Sequence, residues 1–193
     1  MNFDTYIKHA LTTLNPALSH DDVIYNCAFG IIGEAGEVTD FLKKQLFHGM
    51  RPLAEIVFDT MVRAKIKDEL GDLCWYIAVL SHTFARPQGH IDQDSVAFFL
   101  EEEILLLSSR VGDLSESVRA SKFDDQEDHD EAYKEETVHA LHNHLGELLG
   151  SVVDLSSFFG LSLDDILTYN VEKLKARHPE GFTSQYTSDS TPQ

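Results

Sequence analysis

Glu34 and Glu37 stand three residues apart in Gly33-Glu34-Ala35-Gly36-Glu37, and Glu69 and Asp72 repeat that spacing in Lys67-Asp68-Glu69-Leu70-Gly71-Asp72. On an α-helix, residues three apart share a face, separated by about 60° around the axis. Two such helices laid against each other bring four carboxylates to one place. Anions so gathered repel one another unless a cation neutralises them. Oxygen-only ligands select a hard divalent cation, Mg²⁺ or Mn²⁺, over zinc. Mg²⁺ keeps part of its water shell and takes phosphate oxygens readily, so a nucleotide phosphate is the natural ligand class. Both pairs sit among apolar residues: Ile31, Ile32 and Val38 around the first, Leu70, Leu73, Trp75 and Tyr76 around the second. A solvated helix face would instead continue with Lys and Glu at i+4.

The elements that must carry these pairs read as helix after helix. Residues 3–14 place Phe3, Tyr6, Ile7, Ala10, Leu11 and Leu14 at helical spacing until Asn15-Pro16 stops them. Ser19 to Asp22 supplies caps for a second helix running to about His48, where Gly49 and Pro52 break it. Residues 53–59 form a short helical connection. A third helix, from about Thr60 to Phe84, turns Ile66, Leu70, Leu73, Ile77 and Leu80 inward. A turn at Arg86 to His90 precedes a fourth helix from Asp94 or Ser95 to about Ala120. The acidic run Phe123 to Glu131 reads as an exposed loop. A fifth helix spans about Ala132 to Phe159, Gly160 ends it, and Ser162 with Asp165 forms a capping box for a sixth. No strand pattern is present. The expectation is an all-α bundle of about six helices in one domain, 1–182, followed by a disordered tail, 183–193.

The chain also echoes itself. Leu70-Gly71-Asp72-Leu73 returns as Leu145-Gly146-Glu147-Leu148, and Gly33 to Glu37 as Gly112-Asp113-Leu114-Ser115-Glu116, each roughly 75 to 80 residues further along. A first repeat at about 20–86 then carries the intact carboxylates. A degenerate second one at about 93–160 carries Asp113, Glu116, His144 and Glu147, with His144 standing where Glu69 stands. A basic C-terminal helix, 162–178, closes the domain.

Composition narrows the function. With 33 acidic against 15 basic residues the formal charge is −18, a field that repels nucleic acid and anionic membranes. A phosphorylated small molecule stays compatible if a cation neutralises the site. Two cysteines, Cys27 and Cys74, both in apolar helical contexts, make no disulfide framework, and Cys74 has no basic neighbour to activate it. The N-terminus lacks the pattern of a signal peptide, and no run of about 18 apolar residues offers a membrane span. A cytoplasmic protein is expected.

The ordered motifs Gly33-Glu34-Ala35-Gly36-Glu37 and Glu69-Leu70-Gly71-Asp72-Leu73-Cys74-Trp75-Tyr76 resemble the E-x-x-E … E-x-x-D signature of MazG-like nucleotide pyrophosphohydrolases, in the all-α NTP pyrophosphatase superfamily. The ending Asn170-Val171-Glu172-Lys173-Leu174-Lys175-Ala176-Arg177-His178-Pro179-Glu180-Gly181-Phe182 resembles that of phage and bacterial members. The resemblance covers the first hairpin and the last helix, not the middle. It implies that Glu34, Glu37, Glu69 and Asp72 bind Mg²⁺, with Mn²⁺ able to substitute. It implies that Asn170, Lys173 and Arg177 hold the triphosphate or base, with Lys65 a further phosphate candidate. The implied reaction releases pyrophosphate and a monophosphate from a (deoxy)nucleoside triphosphate, with a purine such as dGTP the first candidate. The family assembles as dimers or tetramers, so a homo-oligomer is expected.

The chain departs from the pattern in the long gap between Glu37 and Glu69 and in the second repeat placed before the ending. Two other classes fit parts of the sequence. Di-iron bundles use Glu-x-x-His, and the nearest match here, His144 to Glu147, runs in the opposite order. A catalytically inactive helical interaction protein would not need the intact quartet. His139, His142 and His144 read as a helix face rather than a zinc site. Phe3, Tyr6, Trp75, Tyr76 and Tyr169 read as core before base-stacking. The spacing leaves room for one more expectation, that Gly33 and Gly36 let a neighbouring helix or the nucleotide approach closely.

Overall fold

A computed structural model describes residues 1–85, 99–123 and 131–182. The expected turn at 86–90, the start of the fourth helix near 94, the core of the acidic run at 124–130 and the tail 183–193 lie outside them. Every regular element among the described residues is helical: α1 Phe3–Leu11, α2 His20–Lys43, α3 Leu53–Phe58, α4 Thr60–Thr83, α5 Leu100–Phe123, α6 Glu131–Phe158 and α7 Leu163–Arg177.

The helix starts follow local chemistry. The Asn2 side chain accepts from Thr5 N at 2.8 Å and opens α1. Ser19 with Asp22, and Ser162 with Asp165, close reciprocal capping boxes at α2 and α7. Asp59 caps α4 by accepting from Met61 N at 2.8 Å and Val62 N at 3.2 Å. Each such cap is worth about 1 kcal/mol. At the end of α6, Gly160 takes φ +61°, the left-handed conformation a side chain resists. The second helix does run to His48, but as α-helix only to Lys43; Lys44–His48 is a π-helical turn.

α4 is the central element. It packs against α1, α2, α3, α6 and α7, and its apolar residues Ile66, Leu70, Leu73, Ile77 and Leu80 are fully buried. α2 lies along α4 and α5 along α6, while α2 meets α5 and α4 meets α6. The two echoing segments sit at matching depths: Ile66 and Leu141, Leu70 and Leu145, Gly71 and Gly146, Leu73 and Leu148 are all buried. The second half differs in polarity. Glu103 is wholly buried, with the Arg110 guanidinium 3.6 Å away, and burial raises its carboxyl above the usual range.

The ending is part of the fold. Phe182 N donates to Thr12 O at 3.2 Å, so the chain after α7 returns to the end of α1. The His178 and Phe182 rings stack at 6.2 Å. Among the described residues no single helix is long and apolar enough to cross a membrane.

No neighbouring helix approaches closely at Gly33 or Gly36, against the first half of that expectation. Both are exposed, and a Cβ at either would meet nothing within 4 Å. The close approaches lie one turn earlier and across the bundle. A Cβ at Gly30 would fall 2.3 Å from the Tyr76 ring, and one at Gly71 would fall 3.0 Å from the Asn170 side chain. Gly33→Ala and Gly36→Ala should therefore each stabilise the protein, by about 0.5–1 kcal/mol in chemical denaturation, because alanine gains helix propensity and meets no clash.

Candidate metal centre

The carboxylates approach one another as the spacing requires, but as a trio. One oxygen from each of Glu34, Glu37 and Glu69 lies within 4.8 Å of the others, the one such group among the described residues. α2 supplies the first two because Ile31, Ala35, Val38 and Leu42 are buried in the core where α2 lies along α4, which leaves Glu34 on the flank of that face and Glu37 one step further out. α4 supplies Glu69 from between the buried Ile66 and Leu70 and Leu73. The three differ in exposure: Glu69 is buried, Glu34 half-buried and Glu37 exposed. Ile32, expected beside them as apolar context, points outward at 47% exposure.

Oxygens ligating Mg²⁺ at about 2.1 Å stand roughly 3–4 Å apart in an octahedron. The trio needs only a small side-chain adjustment to reach that, and its donors are all hard oxygens, so it fits Mg²⁺ or Mn²⁺. The electrostatics agree. The Glu34 carboxyl is pushed from its usual 4.5 to about 7 by partial burial first, then by the charges of Asp72, Glu37 and Glu69, against a smaller opposing pull from Lys173. A group with a raised folded pKa stabilises the fold when protonated and loses that contribution as it ionises. Metal-free protein should therefore lose stability as pH rises from about 4.5 to 7. Mg²⁺, competing with that proton, should bind more weakly below pH 7 and remove the downward slope; thermal unfolding across pH with and without the cation checks both.

Asp72 stands beside the trio with its own partners. Asn170 Nδ2 donates to Asp72 Oδ1 at 3.0 Å, and the Lys173 ammonium lies 2.7 Å from the same carboxylate. Lys173 also donates to Asp68 Oδ1 at 2.6 Å, and its side chain is only 10% exposed. Asn170 is fully buried, and its Oδ1 accepts from the Tyr6 hydroxyl at 2.7 Å. Gly71 permits this, since its missing side chain leaves α7 room to seat Asn170 against α4. The result is a chain of contacts, Tyr6 to Asn170 to Asp72 to Lys173 to Asp68, that joins α1, α7 and α4.

Lys65 pairs with Glu69 across one helical turn and is 47% exposed. Arg177 is exposed, one turn beyond Lys173 on α7. Tyr169, at 37% exposure, has Lys67 and Lys173 near its ring at 5.7 and 6.0 Å. Trp75 is anchored by donating to Thr13 Oγ1 at 2.9 Å, and its ring meets Tyr76 edge-on at 4.9 Å. Phe3 and Tyr6 are core.

Sequence reasoning missed two residues here. Asp68 stands in the motif beside Glu69 without a role of its own, although its i, i+4 relation to Asp72 marks one helix face. Tyr6 reads from the sequence as core before base-stacking, and nothing local foretells its hydroxyl contact with a residue 164 positions away.

Among the described residues the second repeat assembles no counterpart. Asp113 and Glu116 are exposed, Glu116 pairing with Arg119 at 2.7 Å. His144 Nδ1 instead lies 2.9 Å from Ser117 Oγ. His142 Nε2 is 2.8 Å from Phe84 O, and His139 stands near Asn143, so the three histidines do not converge. Cys27 and Cys74 are buried free thiols; burial pushes Cys27 up to about 12 and Cys74 higher, away from nucleophilic use. No family model, curated protein or solved structure matches this chain.

Proposed function

We propose that the protein is a divalent-cation-dependent nucleoside triphosphate pyrophosphohydrolase of the MazG-like type, acting in the cytoplasm on the nucleotide pool. The observation that carries this is the convergence of Glu34, Glu37 and Glu69 within 4.8 Å, from two helices, in the order the motifs resemble. A bound Mg²⁺ would neutralise phosphate oxygens and lower the pKa of a water in its shell.

The chain's own groups divide the remaining work. Glu34, Glu37 and Glu69, from the facing helices α2 and α4, would hold the cation. Glu37, the exposed member of the three, would also orient the attacking water. The water oxygen bonds to the α-phosphorus, the bond from that phosphorus to the bridging oxygen breaks, and pyrophosphate leaves. The water's proton passes to a carboxylate and on to solvent. Lys65, whose partner Glu69 would turn to the cation, and Arg177 are both exposed and are the cations assigned to the outgoing phosphates. Asp72 contributes negative charge beside the trio. Purine deoxynucleotides such as dGTP are the first substrates to try. A homo-oligomer follows from the same resemblance.

A panel of canonical and modified (d)NTPs with Mg²⁺ or Mn²⁺, scored for both products, tests this. Monophosphate with pyrophosphate is expected. Diphosphate with orthophosphate overturns the assignment. Iron uptake with oxidase activity would point to a di-iron bundle, and no turnover of any nucleotide to an interaction protein.

A further inference from the structure

The resemblance counts Asp72 among the metal ligands and Lys173 among the substrate contacts. Their surroundings argue otherwise. Both oxygens of Asp72 are in use, Oδ1 by Asn170 at 3.0 Å and Oδ2 by Lys173 at 2.7 Å. Each oxygen keeps a further lone pair, but Asp72 lies outside the group that Glu34, Glu37 and Glu69 form within 4.8 Å, and its hydrogen bonds draw it toward α7. Lys173 is equally committed. Its ammonium sits between Asp68 at 2.6 Å and Asp72 at 2.7 Å, nine-tenths buried, so reaching a phosphate would break two charge-assisted hydrogen bonds. Asn170 completes the arrangement. With Tyr6 donating to its oxygen, its NH₂ is the end that faces Asp72.

We propose that Lys173 is a positioning residue: together with Asn170 it pins Asp72 on the α7 side, so that the cation is held by Glu34, Glu37 and Glu69 and Asp72 acts on it only through its charge. This rests on the metal reading above. It makes Lys173 a built-in counter-cation rather than a phosphate contact. Removing that positive charge should tighten the trio's hold on a divalent ion, first because a repelling cation is gone and second because Asp72 is released toward the trio.

Mn²⁺ titration of the whole, metal-free chain by electron paramagnetic resonance tests this without any turnover. Lys173→Met should bind Mn²⁺ about fivefold more tightly than wild type. Lys173→Arg, which keeps the charge, should stay within about twofold of it. Asp68→Asn guards against misfolding of Lys173→Met, since it keeps the ammonium and gives Asp72 sole claim on it; its Mn²⁺ affinity should fall slightly or hold. If wild type and Lys173→Met bind Mn²⁺ equally while nucleotide affinity falls in Lys173→Met, Lys173 is a phosphate contact and the proposal is overturned. If wild type shows no Mn²⁺ site that Glu34→Gln abolishes, the metal reading itself fails, and this proposal with it.

Discussion

Glu34→Gln is expected to abolish cation-dependent turnover while making the metal-free protein more stable. The two effects have one origin. Glu34 sits half-buried among Asp72, Glu37 and Glu69, and its carboxyl is pushed to about 7 by burial and by those charges. At pH 8 the fold carries an ionised group it disfavours; glutamine keeps the shape and removes the charge. Solvent screening trims the gain, so a rise of a few degrees in the metal-free Tm is expected at pH 8 and none near pH 4, below the usual carboxyl value of 4.5. Cation affinity moves the other way. Partners that only orient a metal ligand are worth 10–100-fold in affinity, so losing a ligand from a set of three should cost at least about 100-fold. A purely structural acid would not raise stability and lose activity in the same substitution. Thermal unfolding at both pH values, alongside pyrophosphate release, separates the cases.

Asn170→Ala should be the most damaging single change outside the apolar core. The side chain is fully buried and joins the Tyr6 hydroxyl to Asp72. Truncation strands a buried hydroxyl, which retains only Gly71 O at 3.3 Å, and removes one of the two donors of Asp72. Leaving a buried polar group without its partner costs about 1–3 kcal/mol. The expected loss is about 2–3 kcal/mol, or roughly 4–12 °C in Tm for a chain of this size. Tyr6→Phe removes the hydroxyl from the other end and should cost about 1 kcal/mol. Because the two residues share one hydrogen bond, the double variant should lose less than the sum of the singles. Additive losses would mean that the hydrogen bond contributes nothing and that Asn170 matters through packing alone.

The local chemistry of the fold was legible in advance. Asn15-Pro16, the Ser162–Asp165 box and Gly160 act over a few residues, so their consequences appear in the sequence itself. The apolar spacing of Ile66, Leu70, Leu73 and Ile77 marks α4 as a core helix in the same way. The carboxylate pairs were legible because a three-residue spacing on a helix fixes a face. What stayed hidden depends on which helix lies opposite. Gly33 and Gly36 were expected to meet a neighbour, but the approach falls at Gly30, one turn earlier, and the phase of α2 against α4 decides that. Asn170 and Lys173 look alike in sequence as polar residues of the last helix, yet both face Asp72 because Gly71 admits α7 so closely. Glu103 belongs to a run of three glutamates, of which Glu101 and Glu102 stay exposed while Glu103 is buried where α5 packs on α6.

The central claim is that Glu34, Glu37 and Glu69 together hold one divalent cation. Mn²⁺ titration of metal-free protein, followed by electron paramagnetic resonance, tests it most directly. One ion per chain should bind to wild type. Glu34→Gln, Glu37→Gln and Glu69→Gln should each weaken that binding severely, while Glu116→Gln and Glu147→Gln, in the second repeat, should leave it unchanged. Equal binding by all five variants and wild type would contradict the claim.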